Sequence, residues 1–259
     1  MKITQIRNAT IIIHLADKVI LVDPMLAPKG LIPSLKYAVS KRRRNPLVDL
    51  PDRTEALLAK VTHCLITHCQ KGHFDHLDKA GTKWLRENSI PVYCSTQDAT
   101  YLKEKGLDVH PLSSTGVNDF LGGTVSLVPC LHGKGLIGKM MAHGFGFSIQ
   151  LPNEPSLYIT GDTIMTNEVR SFVLDQIPEV IVLPAGGARF DLGGDIIMGL
   201  DGAIQMGALT NSRIIANHLE ALDHCPVTRK ALQTEIDKKG WHDRFFIPSD
   251  GETLTMDAA

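Results

Sequence analysis

The sequence predicts an α/β fold in which two β-sheets pack face to face with helices on both outer surfaces, a four-layer αβ/βα sandwich. Three observations predict it. Short β-branched runs separated by turn residues open the chain, strands alternate with helices from about residue 53, and this texture occurs twice. No linker divides the halves, so residues 1–259 are expected to form one domain.

Residues 2–7, 10–13 and 19–22 are short apolar runs that read as an antiparallel meander. Residues 25–50 break that pattern. Pro28, Gly30, Pro33, Pro46 and the run Lys41-Arg42-Arg43-Arg44 leave little periodicity, and an irregular excursion with a short helix is expected. Alternation then gives a helix at 53–59, a strand at 64–67, a helix at 78–88, a strand at 91–94 and a helix at 97–105. The second half repeats the theme with strands at 125–128, 144–151 and 157–160 before a helix at 166–176. A strand at 180–183, a helix at 198–209, a strand at 213–216 and a helix at 226–238 complete it.

An apolar content of 43% supports a substantial core, and 27 Lys+Arg against 28 Asp+Glu leave a formal charge of -1. No basic field draws the chain to nucleic acid or an anionic membrane, so a small-molecule partner is expected. The N-terminus lacks the apolar stretch of a signal peptide, and no run approaches the ~18 apolar residues that span a bilayer. A cytoplasmic location is the expectation. Five cysteines without CxxC spacing fit reduced thiols better than a disulfide framework. Cys69, Cys130 and Cys225 lie beside candidate metal histidines, which leaves a thiolate ligand open beside buried inert cysteine.

The densest chemical signal is Thr67-His68-Cys69-Gln70-Lys71-Gly72-His73-Phe74-Asp75-His76 at the end of an apolar strand. Imidazole and carboxylate suit a borderline divalent ion, and a loop lets several side chains converge without a helical period. A solvated polar loop would explain one such histidine, not three with an aspartate.

This run resembles the metallo-β-lactamase superfamily, whose signature is T-H-x-H-x-D-H at a strand end. Thr67, His68, His73, Asp75 and His76 match it, with four residues instead of one between the first two histidines. Strict spacing places Lys71 at the first ligand position, whereas a three-residue insertion keeps His68 there. Lysine binds metal only after losing a proton from a pKa near ~10.4, so His68 is the assignment taken.

Four further runs follow the family order. Ile20-Leu21-Val22-Asp23-Pro24 resembles the first motif, in which the aspartate supports the metal loop; Val128-Pro129-Cys130-Leu131-His132 the third; Tyr158-Ile159-Thr160-Gly161-Asp162-Thr163 the fourth; and Ile214-Ile215-Ala216-Asn217-His218 the fifth. Alone, each late motif is weak, since a lone histidine after a strand is more often structural and Gly-Asp is a common turn; their joint order is the signal. The spacing and the stretch Gly186-Gly187-Ala188-Arg189 resemble most the branch containing the ascorbate-6-phosphate lactonases.

The resemblance implies two divalent ions, zinc first with manganese or iron tolerated. His68, His73 and His132 would hold one, Asp75, His76 and His218 the other, and Asp162 would bridge. It implies a metal-dependent hydrolase whose metal-bridged hydroxide cleaves an ester, lactone or phosphoester of a small molecule. Asp75 and His224 are the expected catalytic groups, Asp75 orienting the water and His224 protonating a leaving group or positioning substrate; a surface histidine is the plain alternative for His224. Arg189 and the run from Lys41 to Arg44 would suit an anionic substrate. The rival readings are a metal-binding protein without turnover and a redox diiron protein on the same scaffold.

Overall fold

A computed structural model describes residues 1–36, 42–70, 72–135, 138, 141, 144–191 and 193–257. The first sheet is built from β1 (Lys2–Arg7), β2 (Thr10–His14), β3 (Val19–Val22), β4 (His63–Ile66), β5 (Val92–Ser95) and β6 (Val109–Leu112) in sequence order. The strands β1 to β3 pair antiparallel, and β3 to β6 pair parallel. Parallel neighbours need a crossover, and α1 (Thr54–Leu58), α2 (Lys79–Glu87) and α3 (Thr96–Glu104) lie in the three crossovers. Asn8, at φ 55, makes the tight turn between β1 and β2, a conformation asparagine tolerates better than most residues.

The second sheet repeats this scheme. An antiparallel set, β7 (Val117–Phe120), β8 (Gly123–Pro129), β9 (Phe145–Gln150) and β10 (Leu157–Ile159), leads into parallel β11 (Val180–Pro184), β12 (Arg213–Asn217) and β13 (Phe245–Phe246). Its crossovers contain α4 (Asn167–Gln176), α5 (Leu200–Leu209) and α6 (Arg229–Lys239). The last strand, β14 (Thr253–Thr255), returns to the first sheet beside β1.

Alternating apolar side chains place one face of each sheet in a shared core, where Ile11, Ile13 and Val22 meet Phe147, Ile159 and Val182. The opposite faces receive helices: Leu21, Ile66 and Val92 pack with Leu85 and Leu102, and Ile181, Leu183 and Ile214 pack with Val169, Met206 and Leu232. These layers form the expected sandwich. Among the described residues no helix is long and apolar enough to cross a membrane.

Three details differ from the sequence reading. The strands β6, β7, β13 and β14 were not expected; each is short, and all except β13 carry exposed residues. The described part of residues 25–50 contains no helix and closes with an Ile32–Asn45 bridge, while Lys41 lies outside the described residues. The last helix starts at Arg229 rather than 226, because the Thr228 hydroxyl accepts from Ala231 N at 3.1 Å and so caps it there.

Candidate metal centre

Side chains beyond the carboxyl ends of strands converge where the sheets meet, the usual location for sites in such folds. Asp23 follows β3, His68 follows β4, His132 follows β8, Asp162 follows β10 and His218 follows β12. The loop after β4 adds His73, Asp75 and His76. All seven expected ligands fall into two buried groups: His68, His73 and His132 in one, and Asp75, His76, Asp162 and His218 in the other. Within each group the ligand atoms lie within 4.8 Å of one another.

Asp162 faces both groups. Its Oδ2 is 3.1 Å from His76 Nε2, 3.5 Å from His218 Nε2 and 3.6 Å from His132 Nε2. Asp75 Oδ2 lies 3.3 Å from His218 Nε2 and 3.7 Å from His76 Nε2.

The outer ring nitrogens are anchored. His132 Nδ1 donates to the Ile196 carbonyl at 2.8 Å, and His73 Nδ1 donates to the Gln70 carbonyl at 2.5 Å. A carbonyl only accepts, so in both rings the proton sits on Nδ1 and Nε2 offers its lone pair. His76 Nδ1 meets Asp23 Oδ2 at 2.8 Å, and Asp23 also accepts from Thr67 N and Oγ1 at 2.8 and 2.7 Å. His68 Nδ1 lies 3.1 Å from Thr67 Oγ1, and His218 Nδ1 lies 3.5 Å from Cys225 Sγ. Facing inward, Nε2 of His68 and His73 is buried without a hydrogen-bond partner, and Nε2 of His76 faces Asp162 Oδ2 at 3.1 Å. Leaving such atoms unpaired costs about 1–3 kcal/mol each, and this donor set of imidazoles and carboxylates is the one divalent ions satisfy. The residues therefore fit a pair of ions.

Electrostatics separates the two groups. Burial pushes His68 below the ordinary imidazole value, with His76 and His73 adding repulsion, and burial lowers His132 against the pull of Asp162. Burial opposes charge on His76 as well, yet Asp162, Asp23 and Asp75 outweigh it and hold that ring well above its ordinary value. Burial is likewise outweighed at His218, chiefly by Asp162. Burial also resists ionisation of Asp75 and Asp162, but His76 and His218 keep both carboxyls well below the usual range.

Two backbone features hold the arrangement. His218 itself sits at φ 57, a left-handed conformation that costs a bulky residue on the order of 1–3 kcal/mol, and its N–H is bonded to the Asn8 carbonyl at 3.0 Å. A Cβ on Gly186 would lie 2.1 Å from the His218 carbonyl oxygen, so only glycine permits this close approach.

His224 belongs to neither group. It is 4% exposed, stacks on Phe190 with ring centroids 6.4 Å apart, and has an unpartnered buried Nδ1. Burial, against the pull of Asp75, pushes its pKa down to about 4, so the ring is neutral at pH 7. Arg189 is exposed; its backbone N–H reaches the His224 carbonyl at 3.0 Å while its charge acts on Asp195. Arg42 and Arg44 donate to the carbonyls of Lys36, Gly30 and Leu31. Lys71 lies outside the described residues. No cysteine enters either ligand group: burial raises Cys69, Cys130 and Cys225, and the Cys69 and Cys130 thiols point to Asp98 Oδ1 and the Thr160 carbonyl.

The sequence did not reveal two neighbours of the site. Asn8 Nδ2 lies 3.3 Å from His218 Nε2, and its only sequence signal is an asparagine in a tight turn. Asp223 accepts from Ser34 Oγ, from Leu35 N at 3.1 Å and from Asn45 Nδ2 at 3.0 Å, so it fastens these residues of the irregular segment beside His224.

No protein-family model matches the chain. It is 33% identical to the UPF0173 protein YddR of Bacillus subtilis (strain 168), over 99% of this chain and 100% of that protein. It is 26% identical to a UPF0173 metal-dependent hydrolase of Christiangramia forsetii, over 93% of this chain and 94% of the relative. The isothiocyanate hydrolase from Delia radicum gut bacteria superposes with a TM-score of 0.88 at 32% identity, covering 100% of both chains. YhfI of Bacillus subtilis, a metallo-β-lactamase fold protein, superposes with a TM-score of 0.65 at 13% identity over 98% of both chains and shares the fold.

Proposed function

We infer, because this chain belongs to the UPF0173 family of metal-dependent hydrolases, that it hydrolyses an ester, lactone or phosphoester of a small molecule in the cytoplasm with water activated by two divalent ions. The observation that carries the two-ion reading is the position of Asp162 Oδ2, within 3.6 Å of imidazole nitrogens from both groups. His68, His73 and His132 would hold one ion, Asp75, His76 and His218 the other, with Asp162 between them. Zinc is the first expectation for this donor set. When bound, the ions would lower the pKa of a water from about 15.7 to near ~7 and polarise the bond under attack.

The chain's own groups complete the chemistry. Asp75, beside His218 and held ionised, orients the attacking water by accepting its hydrogen bond. His224 is neutral at pH 7 and presents an unpartnered nitrogen, which suits it to position substrate or pass a proton to the departing atom. A second reading of the substrate is favoured by the 32% identity to an isothiocyanate hydrolase over the whole chain. There the electrophile is the central carbon of R–N=C=S, and water adds across the C=N bond without a leaving alkoxide.

The test is a panel of esters, lactones, phosphodiesters and isothiocyanates on metal-quantified protein. Hydrolysis abolished by chelation and restored by zinc supports the reading. Turnover that persists with no metal bound overturns it, and iron with redox turnover but no hydrolysis would favour the diiron alternative.

A further inference from the structure

We propose that the site receives the uncharged, apolar body of a small electrophile, seated against Val48, Phe74, Met141 and Phe190. The proposal rests on the hydrolytic reading above and names the class of substrate it serves. These four side chains come from four separate segments, are each only partly buried, and pack on one apolar cluster that includes Met25, Ile196, Leu222 and Cys225. The cluster is joined to the ligands directly. The Ile196 carbonyl anchors His132, the Cys225 thiol meets His218, Phe74 lies between His73 and Asp75, and Phe190 stacks on His224.

Partly exposed apolar groups converging on a metal centre favour a ligand that covers them, because each apolar surface gains by leaving water. Two of the nearby cations are engaged elsewhere: Lys36 Nζ donates to the Arg189 carbonyl at 2.9 Å, and the buried Arg7 guanidinium donates to the carbonyls of Met25, Ala27 and Val48. A charged substituent laid against the apolar wall itself would lose hydration there without a hydrogen-bonding partner in those four side chains. The unpartnered His224 nitrogen is the polar contact that remains to orient the reacting end.

The test uses benzyl acetate and benzyl isothiocyanate, each beside its 4-carboxy and 4-trimethylammonio counterparts, on zinc-loaded protein. The uncharged members are expected to have kcat/KM about tenfold higher or more. Saturation-transfer NMR of benzamide and its two charged counterparts reads the same preference without turnover. Phe190→Ala should weaken benzamide binding about fivefold and leave the charged counterparts nearly unchanged; Phe74→Leu gives an independent, more conservative probe of the same wall. Equal or reversed ranking of charged and uncharged benzamides overturns the proposal. A preserved binding preference with no hydrolysis of any substrate instead refutes the hydrolytic reading and leaves the apolar wall standing.

Discussion

The two ligand groups sit side by side but are built on opposite electrostatic principles. His68, His73 and His132 include no carboxylate, and burial drives two of the three towards the neutral form. Asp75, His76, Asp162 and His218 pair two carboxylates with two imidazoles, and the carboxylates hold both rings towards the protonated form. A cation entering the first group meets lone pairs that are already free. A cation entering the second must displace protons, so occupancy of the second should rise more steeply with pH. The proposed ions are therefore expected to differ in affinity although Asp162 joins them.

The largest expected effect removes that joint. Asp162→Asn should lower kcat/KM on the order of 10²–10³-fold with little change in folding, because an amide cannot offset two cations at once. Activity near wild type with both ions retained would mean that the two groups work separately. Next in size are His68→Ala and His218→Ala, each of which should retain about one ion per chain after dialysis, from opposite groups, while Lys71→Ala retains both. Loss of both ions from either histidine variant would reduce the comparison to a single cooperative centre.

A finer probe is Asp23→Asn, which weakens the direct anchor of His76 and reaches His68 only indirectly, through Thr67. It should reduce affinity at the second group by about 10–100-fold and affect the first much less, as read by competition with a chromogenic chelator. The smallest effect concerns acid stability. His224 has a folded pKa of about 4 against an ordinary 6.5, so protonation favours the unfolded chain. Its neutral form contributes fully above about pH 6.5, and that contribution is lost as pH falls towards 4. His224→Gln should therefore show a shallower decline in Tm between pH 7 and 5; an unchanged decline would assign the acid sensitivity to other groups.

The strands before Asp23, His68, Asp162 and His218 were legible because they are almost wholly buried, as Val180–Pro184 between two of them is throughout. Edge strands were not. Val109–Leu112 contains Pro111 and exposes two residues, and Thr253–Thr255 has no buried residue, so neither has the alternation that marks a half-buried strand. The convergence of the seven proposed metal residues was legible since each directly follows or lies close beyond an apolar strand. Asn8, Asp223 and the apolar wall were not, because their meaning depends on pairings across the chain such as Asp223 with Asn45. Local pattern carries no trace of such pairings.

The turn at residues 113–116 joins β6 to β7 and is the first passage between the two sheets, before β14 returns to the first. Everything before it supplies His68, His73, Asp75 and His76; everything after it supplies His132, Asp162 and His218. Each ligand group thus draws on both sides of this one turn. A polypeptide nicked there would give two fragments, neither able to complete either coordination set, and hydrolysis would return only when the fragments found each other. The enzyme should in this sense behave as a natural complementation pair, in which catalysis reports the reunion of its halves.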